Sequence, residues 1–232
     1  MTPRVLREKS RAAHEVEKWR FAKRYETRTV LDVGANTGQF AQLIRQVLPD
    51  ARIISFEPID ECFKTLQKNM GTSPPFEAFQ LALGNESCES TINRNAFSPS
   101  SSLLEMKALH VEELPQTREV QQERIRVEKL DGLSASLFIE TPFIVKVDVQ
   151  GFEDQVILGG SKTLAKADAV ILEVSSYPLY EGAPTFDRIY QLMKQIGFVY
   201  RGNVDQWKSR KDGRILQFDA LFEPEHPDLL DT

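Results

Sequence analysis

A chain of 232 residues is long enough to bury one good core with some decoration, and too short for a second catalytic domain. Its 41% hydrophobic and 27% charged residues follow ordinary soluble usage, which excludes a disordered, collagenous or disulfide-dense chain. The 29 basic and 34 acidic side chains leave a net charge of −5 and form no Lys/Arg stripe, so no nucleic-acid partner is expected and a small molecule is favoured.

The two cysteines, Cys62 and Cys88, have neither disulfide-framework nor zinc spacing, which suits a reducing, cytoplasmic location. No apolar run approaches the roughly 18 residues of a membrane span, and the charged start of the chain reads as neither signal peptide nor anchor.

In chain order, residues 1–28 carry an amphipathic helix over Val5–Tyr25 with Val16, Trp19 and Ala22 on its apolar stripe. Packing on the domain and contact with substrate or a second copy both remain open for it, and so does a homo-oligomer. A main domain follows over 29–224. Apolar runs Thr29–Val33, Arg52–Phe56 and Phe76–Leu83 alternate with helices striped by Phe40, Leu43, Ile44, Val47 and Leu48, then by Ile59, Phe63, Leu66 and Met70. Continuous apolar strands between one-sided helices predict a parallel sheet covered on both faces.

Residues 95–121 fit no element well. They begin with Ser98, Pro99, Ser100, Ser101 and Ser102, turn helical around Leu103–Leu114, and are expected to form a substrate lid. The alternation then returns with strand Phe143–Val147, helix Phe152–Leu158, strand Ala169–Val174 and a helix striped by Phe186, Ile189, Tyr190, Met193 and Ile196. After Gly197, strands Phe198–Val204 and Arg214–Phe222 flank the polar turn Lys208–Gly213 and predict a closing hairpin, with a tail at 225–232. The fold class is α/β: a doubly wound, mostly parallel sheet ending in an antiparallel hairpin.

Chemistry concentrates where the first strand meets the first helix. Gly34 and Gly38 let the backbone turn tightly and approach a ligand, and the helix start after Thr37 can receive a ligand carboxylate. Glu57 ends the second strand, where a carboxylate can accept both ribose hydroxyl protons of an adenosine. A dinucleotide fingerprint needs G-x-G-x-x-G where this chain has G-A-N-T-G, and a phosphate-cradling Walker loop needs Lys where Gln39 stands.

The strings V-L-D-V-G-A-N-T-G (30–38), I-S-F-E-P (54–58), L-A-L-G-N (81–85), R-V-E-K-L-D-G-L (126–133), V-K-V-D-V-Q-G-F-E (145–153), I-L-E-V-S (171–175) and P-L-Y-E-G (178–182) resemble, in this order, the FkbM-type methyltransferases. The resemblance spans roughly Thr29 to Gly197 and implies a class I methyltransferase (Rossmann-like) sheet of seven strands, with S-adenosylmethionine as cofactor. It implies that Asp32, Gly34, Ala35, Asn36 and Gly38 line the cofactor loop, that Glu57 and Pro58 hold the ribose side, and that Ala82 and Leu83 border the adenine. The family more often carries Glu where Gln150 stands.

The expected reaction is O-methylation of a hydroxyl on a small molecule, sugar or glycan, with N-methylation and non-catalytic cofactor binding as alternatives. Displacement at a sulfonium methyl asks first for positioning at about 3 Å, then for a base that withdraws the hydroxyl proton. Asp148, at the end of the fourth strand, is the first candidate base and also a cofactor-orienting candidate. Glu153, in the first turn of the next helix, is a second, with capping as its simpler role. His110, in the expected lid, is a third. Asp148 and Glu173 could share a divalent metal, which is not favoured. Lys146, inside an apolar strand, is expected to reach out or pair with a carboxylate, and Tyr177, Tyr180 and Glu181 to shape the acceptor pocket or pack over the sheet end.

Overall fold

The computed structural model describes residues 13–73, 75–95, 98–117 and 119–225. The first apolar run forms β1 (Thr29–Val33), all five residues of which are buried. A strand buried on both sides needs cover on both sides, and its neighbours supply it. α1 (Gln39–Val47), β2 (Arg52–Phe56), α2 (Asp60–Met70) and β3 (Phe76–Phe79) follow, with β1 parallel to β2 and β2 parallel to β3.

β4 (Ala82–Leu83), β5 (Cys88–Asn95), α3 (Ala108–Glu113), β6 (Val120–Glu128) and α4 (Leu130–Leu133) occupy the middle of the chain. β7 (Phe143–Val147), α5 (Glu153–Leu164), β8 (Ala169–Ser175), α6 (Phe186–Gln195), β9 (Phe198–Lys208) and β10 (Ile215–Pro224) complete it. The main sheet has seven strands in the order β3-β2-β1-β7-β8-β10-β9, with β10 antiparallel to both of its neighbours. The expected α/β sheet with its antiparallel closing hairpin is therefore present.

Alternation of side chains sorts the core into two layers. Leu31, Ile54, Val145 and Val170 face one way and join Val156, Ile157, Ile189 and Met193. Val30, Ile53, Ile144 and Ile171 face the other way and join Ile44, Leu66, Trp19 and Ala22. Each such aliphatic side chain, fully buried, contributes about 1.5–3 kcal/mol. Of the expected N-terminal helix, residues 13–18 are helical and Arg20–Tyr25 form a 3-10 turn that seats Trp19 edge-on to Phe40 at 4.7 Å; its first part lies outside the described residues, as do 226–232 of the tail.

Four expectations need correction. The run Phe76–Leu83 is two strands, because β2 ends at Phe56, opposite Phe79, and offers no partner beyond it. A tight turn from Phe79 O to Leu81 N then redirects the chain, and Ala82–Leu83 pairs instead with Val127 and Glu128. A second, three-stranded sheet, β4-β6-β5, results. The described residues between Asn95 and Val120 accordingly lie at the tip of a long β5/β6 hairpin, and the helix expected around Leu103–Leu114 shrinks to α3.

The helix expected over Phe152–Leu158 continues to Leu164 through Gly159 and Gly160. A Cβ at Gly159 would lie 1.8 Å from the Gly84 carbonyl oxygen, so glycine here admits the loop after β4 rather than ending the helix. The closing hairpin is also longer than expected at both strands, since β10 pairs with β9 from Ile215 to Pro224 and with β8 over Gln217–Phe222.

Candidate active site

Strand order reverses between β1 and β7, and at such a point the loops leaving the strand ends part to open a crevice. A cleft of about 290 Å³ opens there. From the β1 side it is lined by Asp32, Gly34, Ala35 and Asn36, from β2 by Glu57 and Pro58, and from β4 by Ala82 and Leu83. From β7 and β8 come Lys146, Asp148, Gln150 and Glu173, and from the hairpin tip Ser98, Pro99, Ser101 and Leu103.

The β1 loop is shaped by two left-handed residues, Gly34 at φ +84° and Asn36 at φ +49°. A Cβ on Gly34 would come within 1.9 Å of the Asp148 carbonyl oxygen, so this glycine lets the β1 and β7 loops approach each other. Gly38 does not line the cleft; it precedes α1 in a left-handed conformation. Asn36 Oδ1 accepts from Thr37 N at 2.7 Å and from Ser98 Oγ at 3.0 Å, which ties the hairpin tip to the loop.

Glu57 is 4% exposed. Its two oxygens accept the backbone N–H groups of Asn36 and Ile59, each at 2.8 Å, which fixes the carboxylate plane toward the cleft. Burial pushes its carboxyl up to about 7 against those two bonds. Asp32, reached by Ser55 Oγ at 3.1 Å, is also pushed up to about 7 by burial.

At the other end, Lys146 Nζ lies 3.0 Å from Asp219 Oδ1 and 3.5 Å from Asp148 Oδ2, so the buried ammonium pairs as expected. Burial pulls it down, but Asp219, Asp148 and Glu173 together hold it above its ordinary value. Burial, and then the Asp148 charge, raise Glu173 well above the ordinary carboxylate value. Gln150 joins the two acids: its Nε2 donates to Asp148 Oδ1 at 2.7 Å and to Glu173 Oε2 at 2.5 Å, while its Oε1 accepts from Tyr180 Oη at 2.8 Å.

Two candidate bases stand apart from this cleft. Glu153 caps its own helix, accepting N–H bonds from Val149 and Gly151 at 3.0–3.1 Å, and burial pushes it up to about 7. His110 is 1% exposed, packs on Tyr180 and Trp207, and has Nε2 3.1 Å from Ser100 Oγ; burial lowers it to about 4. Tyr180 is likewise buried under the hairpin tip, while Tyr177 lies outside against Arg214 and Glu181 pairs with Lys107. Gln150 was not singled out as a site residue from sequence; the only local sign was a polar residue before Gly151 at a strand-to-helix turn, and it takes φ +54°.

Four acids, Asp32, Glu57, Asp148 and Glu173, against one ammonium make the cleft a poor host for a pyrophosphate, and a ligand with net positive charge would favour their ionised forms. A sulfonium-bearing adenosyl compound fits that balance and the Glu57 end. Among the described residues no group of three or more His, Cys, Asp or Glu side chains is arranged to hold a metal ion, and Asp148 and Glu173 meet through an amide.

The Methyltransferase FkbM domain is matched over residues 32–200, most of the chain and both ends of the cleft. The chain belongs to this family. As a member of the FkbM family it is an S-adenosylmethionine-dependent methyltransferase. It is 27% identical to the 2-O-methyltransferase NoeI of Sinorhizobium fredii over 181 residues, covering 73% of this chain and 72% of that protein. It is 29% identical over 198 residues to the AMB antimetabolite synthetase AmbE of Pseudomonas aeruginosa, but spans only 9% of that longer protein. Among solved structures, magnesium protoporphyrin IX methyltransferase (ChlM) from Synechocystis PCC 6803 superposes with a TM-score of 0.49 at 11% identity, covering 94% of this chain and 80% of that one. No helix among the described residues is long and apolar enough to cross a membrane.

Proposed function

We propose that the chain O-methylates a hydroxyl group on a small molecule, sugar or glycan. The observation that carries this reading is the asymmetry of the cleft: a rigidly held carboxylate at Glu57 and a carboxylate pair at Asp148 and Glu173 about the same opening. Similarity to a 2-O-methyltransferase supports oxygen as the acceptor atom.

S-adenosylmethionine supplies an electrophilic methyl carbon on a sulfonium. Glu57, with one lone pair of each oxygen taken up by backbone N–H groups, has the others free to accept two ribose hydroxyls. Asp32, Gly34, Ala35, Asn36 and Pro58 form the walls of that half, and Ala82 and Leu83 offer an apolar border for the adenine. The Ser98–Leu103 stretch closes over the acceptor half as a lid, held by the Ser98 to Asn36 bond. The acid cluster beyond Asp148 accepts the hydroxyl proton.

The test is mass spectrometry after incubation with isotopically labelled S-adenosylmethionine and a panel of glycans and hydroxylated natural-product scaffolds. A labelled methyl ether is expected. A labelled methylamine as the only product, or no labelled product from a cofactor-saturated chain, overturns the reading.

A further inference from the structure

Of the acids around the cleft, we propose that Glu173 is the group that takes the proton from the acceptor hydroxyl, and that Gln150 is the residue that positions it. The inference rests on the O-methylation reading above and deepens it by naming the base.

The argument is one of which lone pairs remain available. Asp148 Oδ1 is engaged by the Gln150 amide and Oδ2 faces the Lys146 ammonium at 3.5 Å, so Asp148 is the carboxylate whose charge has a counter-ion. Asp219 takes the nearer approach of the same ammonium, at 3.0 Å. Glu153 has both oxygens occupied by backbone N–H groups of its own turn and does not line the cleft.

Glu173 differs from all three. Its Oε2 receives two amide donors, Gln150 Nε2 at 2.5 Å and Gln217 Nε2 at 2.9 Å, which fix the carboxyl plane. Its Oε1 accepts no hydrogen bond among the described residues, and the side chain lines the cleft. Among the described residues no cation forms an ion pair with it. The charged groups that face it are Lys146 and Asp148 on the β7 side, Asp219 on β10 and Glu153 at the start of α5, an acid excess that favours holding a proton. Burial works in the same direction, so Glu173 is the acid of the cleft whose proton affinity is raised while one of its oxygens stays open, and Asp148 has the ammonium.

Gln150 is itself fixed from both ends of the site. Tyr180 Oη donates to its side-chain oxygen at 2.8 Å, and Ser102 Oγ of the hairpin tip donates to its backbone carbonyl at 2.6 Å. In the step itself, an acceptor oxygen lone pair forms the new C–O bond as the C–S bond breaks. The bonding electrons go to sulfur, which leaves as a neutral thioether, and the hydroxyl proton passes to Glu173.

Two measurements test this. In protein carrying 13C-labelled Glu carboxyls, the resonance lost in Glu173→Gln should titrate above the ordinary Glu value of about 4.3. Titration at or below that value overturns the proposal without any acceptor. With methyl glycosides as probe acceptors, Glu173→Gln should bind S-adenosylmethionine as before, lose about 10²–10⁴-fold in kcat, and lose the limb over which kcat rises with pH. Gln150→Leu should shift that limb rather than abolish it, which a purely structural loss would not do. A Glu173→Gln chain that keeps its kcat and its limb overturns the proposal. If the unaltered chain methylates none of the glycosides, glycosides fail as acceptors, and the kinetic comparison of Glu173→Gln with the parent is made on whichever scaffold of the wider panel is methylated.

Discussion

Lys146 on β7 and Asp219 on β10 meet at 3.0 Å across β8, the strand that separates them. The contact ties the parallel part of the sheet to its antiparallel hairpin beneath the acceptor end of the cleft. Removing the ammonium would leave Asp219 and Asp148 as uncompensated charges, and breaking one side of a buried pair costs about 3–5 kcal/mol. Lys146→Met should therefore lower the melting temperature sharply, and the double variant Lys146→Met with Asp219→Asn should recover part of the loss. Calorimetry of both variants checks this; a single variant as stable as the parent would refute the pairing.

Glu57→Ala should weaken S-adenosylmethionine binding by about 1–3 kcal/mol, the cost of leaving hydroxyl partners unmade. Since Glu57 also ties Asn36 N and Ile59 N, Glu57→Gln serves as the milder comparison. Isothermal titration gives the answer directly, and equal affinity in the alanine variant removes Glu57 from the ribose site.

Stability should fall as pH rises toward neutrality. Asp32 is raised from 3.8, and Glu57 and Glu153 from 4.5, each to about 7 and each chiefly by burial. The folded state then binds more protons than the unfolded one between about pH 4 and 7, so this contribution is complete below the unfolded values and lost through about 7. His110, lowered from 6.5 to about 4 by burial, works the other way over part of that window, as one group against three. The ligand-free chain should thus melt at a higher temperature near pH 5 than near pH 8, and a melting temperature that climbs across that interval contradicts protonated carboxyls in the cleft.

Chelation should leave methyl transfer unchanged. The Gln150 amide donates to Asp148 and Glu173 where a cation bridging them would have to sit, so a metal would first have to displace it. Assays with and without a strong chelator decide the matter, and loss of activity that added Mg²⁺ restores would reinstate the metal.

Sequence made the cofactor half legible because its signals are local. β1 is a continuous apolar run, and the loop after it must turn at Gly34, where a side chain would strike Asp148. The break after Phe79 was invisible because it depends on where β2 stops, a fact of register between strands rather than of residues 76–83. The extension of the helix beyond Leu158 is hidden for a related reason: Gly159 answers to the close approach of the Gly84 carbonyl, a tertiary contact that no local pattern shows. The acceptor end was half legible. Asp148 and Glu173 stand at strand ends in the sequence pattern, but the amide between them comes from a left-handed residue whose reach no periodicity reveals.

The β5/β6 hairpin gives the molecule a natural graft point. Among the described residues its arms share a ladder with each other, with the short β4 and with Ser102, and none with the seven-stranded sheet, while Ser98 and Ser102 of the tip bond Asn36 and Gln150 in the loops that leave that sheet. A tip rewritten for new acceptors must therefore keep those two serines if the donor loop and Gln150 are to stay in place.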